Sequence, residues 1–215
     1  MDDTVRLVLT LTGYTYKPPL LPYVCKDLYE ELTMERVQMR GRRGTLLHKY
    51  VKEHNIPKIE HVLRYKVNVN ATDDDWLTVL MIAMNRSYYD IAELLVEHPK
   101  LNVNQRDSDR RSLLYIAIRQ NMPHIALRLL ERGADPSHVD EMYIPFHSAC
   151  ARGFLDVAKV ILRKGISVDV EDARSQTALF KLRYSHPEVE RFLIDNGANP
   201  NHLDFDGKPY TYYQT

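Results

Sequence analysis

Short apolar blocks separated by polar, turn-forming stretches recur along most of this 215-residue chain at a nearly constant interval. The blocks Thr45-Leu46-Leu47-His48, Thr78-Val79-Leu80-Met81, Ser112-Leu113-Leu114-Tyr115, Ile144-Pro145-Phe146-His147 and Thr177-Ala178-Leu179-Phe180 begin 33, 34, 32 and 33 residues apart. A polar track keeps the same phase: Asn68-Val69-Asn70, Asn102-Val103-Asn104, Asp135-Pro136-Ser137, Ser167-Val168-Asp169 and Asn199-Pro200-Asn201. An aspartate follows each triplet by three residues, at Asp73, Asp107, Asp140, Asp172 and Asp204. Three tracks in one phase define a repeat, and a fixed period overrides any isolated helix or strand reading.

The fourth unit predicts what each repeat looks like. Pro145 suits the first turn of a helix, small Ala149, Cys150 and Ala151 permit a close neighbour, and Gly153 breaks the helix. Asp156 suits the positive start of a second helix, and Val157, Val160 and Ile161 at i, i+3, i+4 give that helix one apolar stripe until Gly165 ends it. The polar stretch through Asp169, Asp172 and Ser175 then crosses over as a hairpin-like loop. A lone helix pair of this size has nothing to bury its apolar face against, so stability comes from stacking, and the five units form one domain.

With these blocks in place the chain resembles the ankyrin-repeat family, whose unit of about 33 residues carries a T-P-L-H-x-A signature. The resemblance covers about Gly41 to Tyr210; Ile144 to Gly165 is nearest to the pattern, and Arg132-Gly-Ala-Asp-Pro136 and Asn196-Gly-Ala-Asn-Pro200 repeat its end. Val79, Leu113 and Ala178 replace the signature proline, and Trp76, Arg110 and Ser175 stand where the hairpin has glycine, departures expected to cost local stability but not the fold. The expected fold is an all-α solenoid of helix-turn-helix units with short β-hairpin loops. Residues 1–40 form an N-terminal segment with a capping helix, and residues 41–215 form five repeats plus a truncated C-terminal unit. The capping helix is read over Pro22 to Val37, with Val24, Leu28 and Leu32 on one face and Glu30, Glu31 and Glu35 on the other. Seven of the 14 tyrosines fall in the first 29 or last 6 residues, where the open ends of a stack need cover.

Charge and composition narrow the function. Lys plus Arg and Asp plus Glu both number 29, so the overall field does not hold nucleic acid. No run approaches the ~20 apolar residues of a membrane-spanning helix, and Met1-Asp2-Asp3 is not the start of a secretory signal. With two cysteines, Cys25 and Cys150, read as reduced thiols, a cytoplasmic or nuclear protein is expected. The sequence holds no phosphate-binding glycine loop, HExxH or GxSxG. His147 and Cys150 lack further metal ligands, and Asp73-Asp74-Asp75 is placed on an exposed loop where solvation leaves a carboxylate unperturbed. No catalytic residue, metal or cofactor is expected.

Surface remains. The resemblance implies that partners bind the concave side lined by hairpin tips and first helices, and that His48 and His147 tie loop to helix. Arg86, Arg119 and Arg152, spaced 33 and 33, are expected to form a ladder along that groove, with Arg110, Arg111 and Arg174 on neighbouring tips; such a row suits carboxylates or phosphates. Solvated arginines that merely complement helix dipoles are the plainer alternative. Trp76, Met142 and Tyr143 on loop tips, and Tyr184, are candidate anchors. The expected partner is another protein with an acidic or phosphorylated surface, bound by a monomer that touches no membrane. Two alternatives stay open. One is a nucleic-acid-associated factor using the nine basic residues between Arg36 and Lys66; the other is a recruiting subunit of a ubiquitin ligase or phosphatase complex. Lys17-Pro-Pro-Leu-Leu-Pro22 spells a PxxP spacing that could serve an SH3 or WW module or simply stiffen the chain.

Overall fold

The computed structural model describes residues 45–64, 67–137, 144–182 and 186–214. They belong to a compact unit spanning Arg43–Thr215. The capping helix expected over Pro22 to Val37 lies outside the described residues, as do the PxxP segment and most of the basic stretch before Thr45.

Four helix pairs follow the period of the apolar blocks. They are α1 (Leu46–Lys52) with α2 (Ile56–Leu63), α3 (Val79–Asn85) with α4 (Tyr89–Val96), α5 (Leu113–Arg119) with α6 (Pro123–Glu131), and α7 (Pro145–Ala151) with α8 (Leu155–Arg163). A fifth unit pairs a 3₁₀ turn, Ala178–Lys181, with α9 (Pro187–Asp195), and a second 3₁₀ turn, Tyr210–Gln214, closes the described chain. Consecutive first helices pack on one another, α4 packs on α6 and α6 on α8, so the translated copies form two helical layers. Among the described residues there is no strand, and the expected hairpins appear as single antiparallel bridges, Thr72 with Thr78, Arg106 with Ser112 and Leu203 with Pro209.

Local chemistry sets the ends of each helix. The Met81 amide donates to Thr78 Oγ1 at 3.3 Å, the Tyr115 amide to Ser112 Oγ at 3.1 Å, and the Lys58 amide to Asn55 Oδ1 at 3.2 Å, so polar side chains take up otherwise orphaned donors. Proline opens α6, α7 and α9, where its fixed φ and missing amide cost nothing. The turn inside each pair needs a left-handed residue, supplied by His54, Ser87, Asn121 and Gly153. At Gly153 the φ of 73° and the ring of His186, 2.6 Å from where a Cβ would sit, together exclude a side chain. The first helices bury nearly everything they carry: α3 buries Val79 through Met84 without interruption. The second helices bury one stripe, Ile125, Ala126, Leu129 and Leu130 in α6.

The fifth unit departs from the expected helix pair for a countable reason. Ten positions separate the two N-caps in the first four units: Thr45 and Asn55, Thr78 and Tyr88, Ser112 and Met122, Ile144 and Phe154. Nine separate Thr177 from His186. A 3₁₀ turn rises about 2.0 Å per residue against about 1.5 Å for an α-helix, so it covers the path with fewer residues. The missing residue converts a seven-residue helix into a four-residue turn.

Candidate protein-binding face

The hairpins carry one motif four times. Oδ1 of Asp73 accepts the amides of Asp75 and Leu77, and Oδ1 of Asp107 those of Asp109 and Arg111. Asp172 serves Arg174 and Gln176, and Asp204 serves Asp206 and Lys208, at 2.8 to 3.1 Å throughout. The second oxygen takes a further donor: Lys52 Nζ on Asp73 at 2.8 Å, Arg111 on Asp107 at 2.6 Å, Lys181 Nζ on Asp172 at 2.6 Å and the Tyr213 hydroxyl on Asp204 at 2.6 Å. The expectation that Asp73 is a solvated, unperturbed carboxylate is therefore corrected. Asp73 is buried; burial works to raise its pKa, but the Lys52 ammonium and the Leu77 and Asp75 amides outweigh it and hold the group below its usual value. A shift in that direction makes a firmer anion, not a proton carrier.

The polar triplets stitch neighbouring units. Asn70 Oδ1 accepts the Asn102 amide at 2.7 Å, Asn104 Oδ1 the Asp135 amide at 2.9 Å, and the Asp169 carboxylate the Asn199 amide at 3.1 Å. The histidines act as the resemblance implied. His48 Nδ1 accepts from the Thr45 amide at 3.1 Å, which leaves Nε2 to donate to the Leu77 carbonyl of the next hairpin. His147 Nε2 donates to the Val170 carbonyl at 2.8 Å, and burial pushes its pKa down to about 4, so the ring stays neutral. Burial likewise pushes the Cys150 thiol up to about 12, which leaves it protonated and inert.

The arginines are less regular than their spacing. Arg86 and Arg152 occupy the C-caps of α3 and α7, but the corresponding cap of α5 is Gln120, and Arg119 is the last residue inside that helix. The three do not share a register position, so the expected straight ladder is broken at its middle rung. Arg86 also donates to the Lys52 carbonyl at 2.9 Å, capping the end of α1. Arg111 turns back onto Asp107 and Asp109 at 2.6 and 3.1 Å. The guanidinium groups of Arg110, Arg119, Arg152 and Arg174 make no hydrogen bond or ion pair among the described residues, and all four are exposed. Arg110 and Trp76 stand at hairpin tips with φ of 62° and 61°, in the place of the family glycine, and Trp76 is 57% exposed. Met142, Tyr143 and Tyr184 lie outside the described residues.

Two lysines missed from the sequence belong to the same face. Lys49 and Lys181 sit four residues beyond Thr45 and Thr177, a register position whose equivalents in α3 and α5 are the buried Ile82 and Ile116. Only counting from each N-cap would have found them. Of the basic residues between Arg36 and Lys66, Lys52 is neutralised by Asp73, while Lys49 and Lys58 stand 5.9 and 5.0 Å from the Tyr50 ring centre. Among the described residues no group of three or more His, Cys, Asp or Glu is placed to hold a metal ion, and no helix is long and apolar enough to cross a membrane.

Comparison with known proteins agrees with this geometry. Residues 47–140 match the family described as ankyrin repeats, in three copies. The described chain has the ankyrin-repeat fold. A stretch of 81 residues is 28% identical to an ankyrin repeat-containing protein of Schizosaccharomyces pombe, covering 36% of this chain and 39% of that one, so the chain spans about two fifths of that relative. An ankyrin repeat domain from Acinetobacter baumannii superposes with a TM-score of 0.68 at 25% identity, over 78% of this chain and 88% of that one. A chain from the complex of a predatory endopeptidase of Bdellovibrio bacteriovorus with an immunity protein superposes with a TM-score of 0.68 at 24% identity, over 80% and 91%. The last is a likeness of fold alone. Ankyrin repeats are in general protein–protein interaction modules, and this chain carries that module.

Proposed function

We propose that this ankyrin-repeat chain is a non-catalytic adaptor, scaffold or inhibitor that takes an extended, anionic segment of another protein along the face of its first helices and hairpin tips. Charge sorting carries the reading. The first elements and their caps hold Lys49, Lys52, Arg86, Arg119, Arg152 and Lys181 against the single acid Glu53, in a protein whose formal net charge is zero. The second helices mix both signs, as Asp90, Glu93 and Glu97 of α4 and its cap face His54, His124 and Arg128. This basic row in a neutral protein raises the local concentration of an opposite charge and orients it, beside hairpin tips that also carry the exposed acids Asp74, Asp75, Asp109 and Asp206.

Within that face, Arg110, Arg119, Arg152 and Arg174 are free to bind carboxylates or phosphates, Trp76 offers an aromatic anchor, and Arg86 and Arg111 serve the fold first. The cytoplasm or nucleus would be the place for such a module, and the monomer its working form. An array of extended peptides, acidic, phosphorylated and neutral, tests the reading. Acidic or phosphorylated peptides should be retained and lost with rising salt, and the variant Arg119→Glu/Arg152→Glu/Arg174→Glu should lose them while its circular dichroism is unchanged. Equal retention by the folded variant, or preference for neutral peptides, defeats the proposal.

A further inference from the structure

We propose that Arg119 and Arg152 form one site, a clamp for the phosphate of a single phosphorylated residue in a partner protein. The proposal rests on the reading that this face takes an anionic segment, and it narrows the chemistry of that segment.

Register across the unit boundaries carries it. Counted from the N-caps Thr45, Thr78, Ser112 and Ile144, position seven is Lys52, Asn85, Arg119 and Ala151, and position eight is Glu53, Arg86, Gln120 and Arg152. The first helices pack on one another in order. At two boundaries position eight of one unit is bonded to position seven of the unit before: Arg86 donates to the Lys52 carbonyl at 2.9 Å, and Gln120 Nε2 donates to Asn85 Oδ1 at 3.1 Å. The next step of the same translation sets Arg152 against Arg119. The one-residue offset that breaks a ladder of three thus makes a pair.

The three boundaries differ in what they leave unsatisfied. At the first, Arg86 is spent on a carbonyl and Lys52 Nζ on Asp73. At the second, two neutral amides satisfy each other. At the third, both guanidinium groups are exposed and make no hydrogen bond or ion pair among the described residues. Asp156, the acid nearest to Arg152 along the chain, faces Lys159 at 3.6 Å, and the acid among positions seven and eight is Glu53 of the first unit.

Two like charges brought together by helix packing, with no carboxylate between them, call for an anion that carries two charges. A carboxylate offers one charge and two oxygens, which a single guanidinium fork already satisfies. A phosphomonoester near neutral pH carries close to two charges and three acceptor oxygens, enough for both forks. A nucleic-acid strand offers its charges in a row, and the neighbouring boundaries, one spent and one neutral, provide no row to match it.

Phenyl phosphate and acetate are the probes for the site itself, followed through the arginine Nε–H resonances of the full chain. The Arg119 and Arg152 signals should move together with phenyl phosphate and fit one dissociation constant while that of Arg174 stays in place, and acetate should bind about tenfold more weakly or worse. Arg119→Lys and Arg152→Lys keep the charge and lose the fork, so each should weaken phenyl phosphate about tenfold, whereas Arg174→Lys should leave it unchanged. Separate titration of the two signals, equal affinity for acetate, or an equal loss in Arg174→Lys overturns the clamp. A degenerate peptide library with one central phosphoserine, its glutamate counterpart and a single-stranded DNA oligonucleotide then test the partner. Phosphoserine peptides should be preferred about tenfold over both. Preference for the oligonucleotide overturns the assignment to a protein. Equal retention of the phosphoserine and glutamate peptides sinks the clamp and leaves the anionic-segment reading standing, whereas failure of every peptide overturns both.

Discussion

The hairpin layer and the ends of the first helices both present residues spaced by about one repeat, yet only the hairpin set is periodic in space. Asp73, Asp107, Asp172 and Asp204 each meet two amides at fixed offsets and one further donor, since the bonds themselves set their positions. Arg86, Arg119 and Arg152 are spaced as evenly, but the second and third units start 34 residues apart, so a 33-residue step lands one position early. One residue along an α-helix is a rotation of about 100°, enough to turn a side chain off the row. Even spacing therefore means register only where a bond enforces it.

The sharpest way to break this comparison is at the hairpins. Asp107→Ala removes a buried carboxylate that caps two amides and neutralises Arg111, and should cost about 3 kcal/mol by denaturant unfolding. A loss below about 0.5 kcal/mol would reduce the aspartate track to decoration.

Acid should act nearly as strongly through the histidines that tie helix to hairpin. An unfolded His147 protonates near pH 6.5, but the folded ring resists until about 4, so the unfolded state binds the proton first. Stability should accordingly fall as pH drops from about 6.5 toward 4, by on the order of 2–3 kcal/mol for this residue. His48, also depressed by burial, adds in the same direction. His147→Gln should flatten that slope in unfolding curves taken across this range; an unaltered slope would mean the ring is not held neutral.

Smaller effects divide fold from face. Arg110→Gly should stabilise the chain by about 1 kcal/mol, because a non-glycine residue in the left-handed region is strained, and should at the same time weaken capture of acidic peptides. A destabilised variant would show that the tip is not strained. Last, Arg119→Glu and Arg152→Glu should each shift stability by no more than about 0.5 kcal/mol, since neither guanidinium has a partner among the described residues. A larger loss in thermal unfolding would place them in the structure instead.

Most of the architecture was legible because each unit repeats the constraint of its neighbour. Gly153 marked a left-handed turn, and Pro145 marked a helix start, directly from residue type. The 3₁₀ turn at Ala178–Lys181 was not read, although its cause, nine positions where ten are usual, stands in the chain; the apolar block Ala178-Leu179-Phe180 looks like the others until the second N-cap is counted. The candidate face was legible in kind and not in detail. Arginines near helix ends were evident, but that Arg86 and Arg111 spend their donors inside the fold while Arg110, Arg119, Arg152 and Arg174 do not depends on which carbonyls and carboxylates come within reach.

By itself the sequence determined the repeat, the helix pairs and the absence of net charge, because period, caps and composition are properties of the chain read in order. The tertiary structure alone decided which charges are spent and which are free, and that the hairpin aspartates are buried at Asp73, Asp107 and Asp204 and partly buried at Asp172. Those outcomes depend on donors brought together from residues such as Lys52 and Asp73, or Asp169 and Asn199, that lie tens of positions apart and meet only when the units stack.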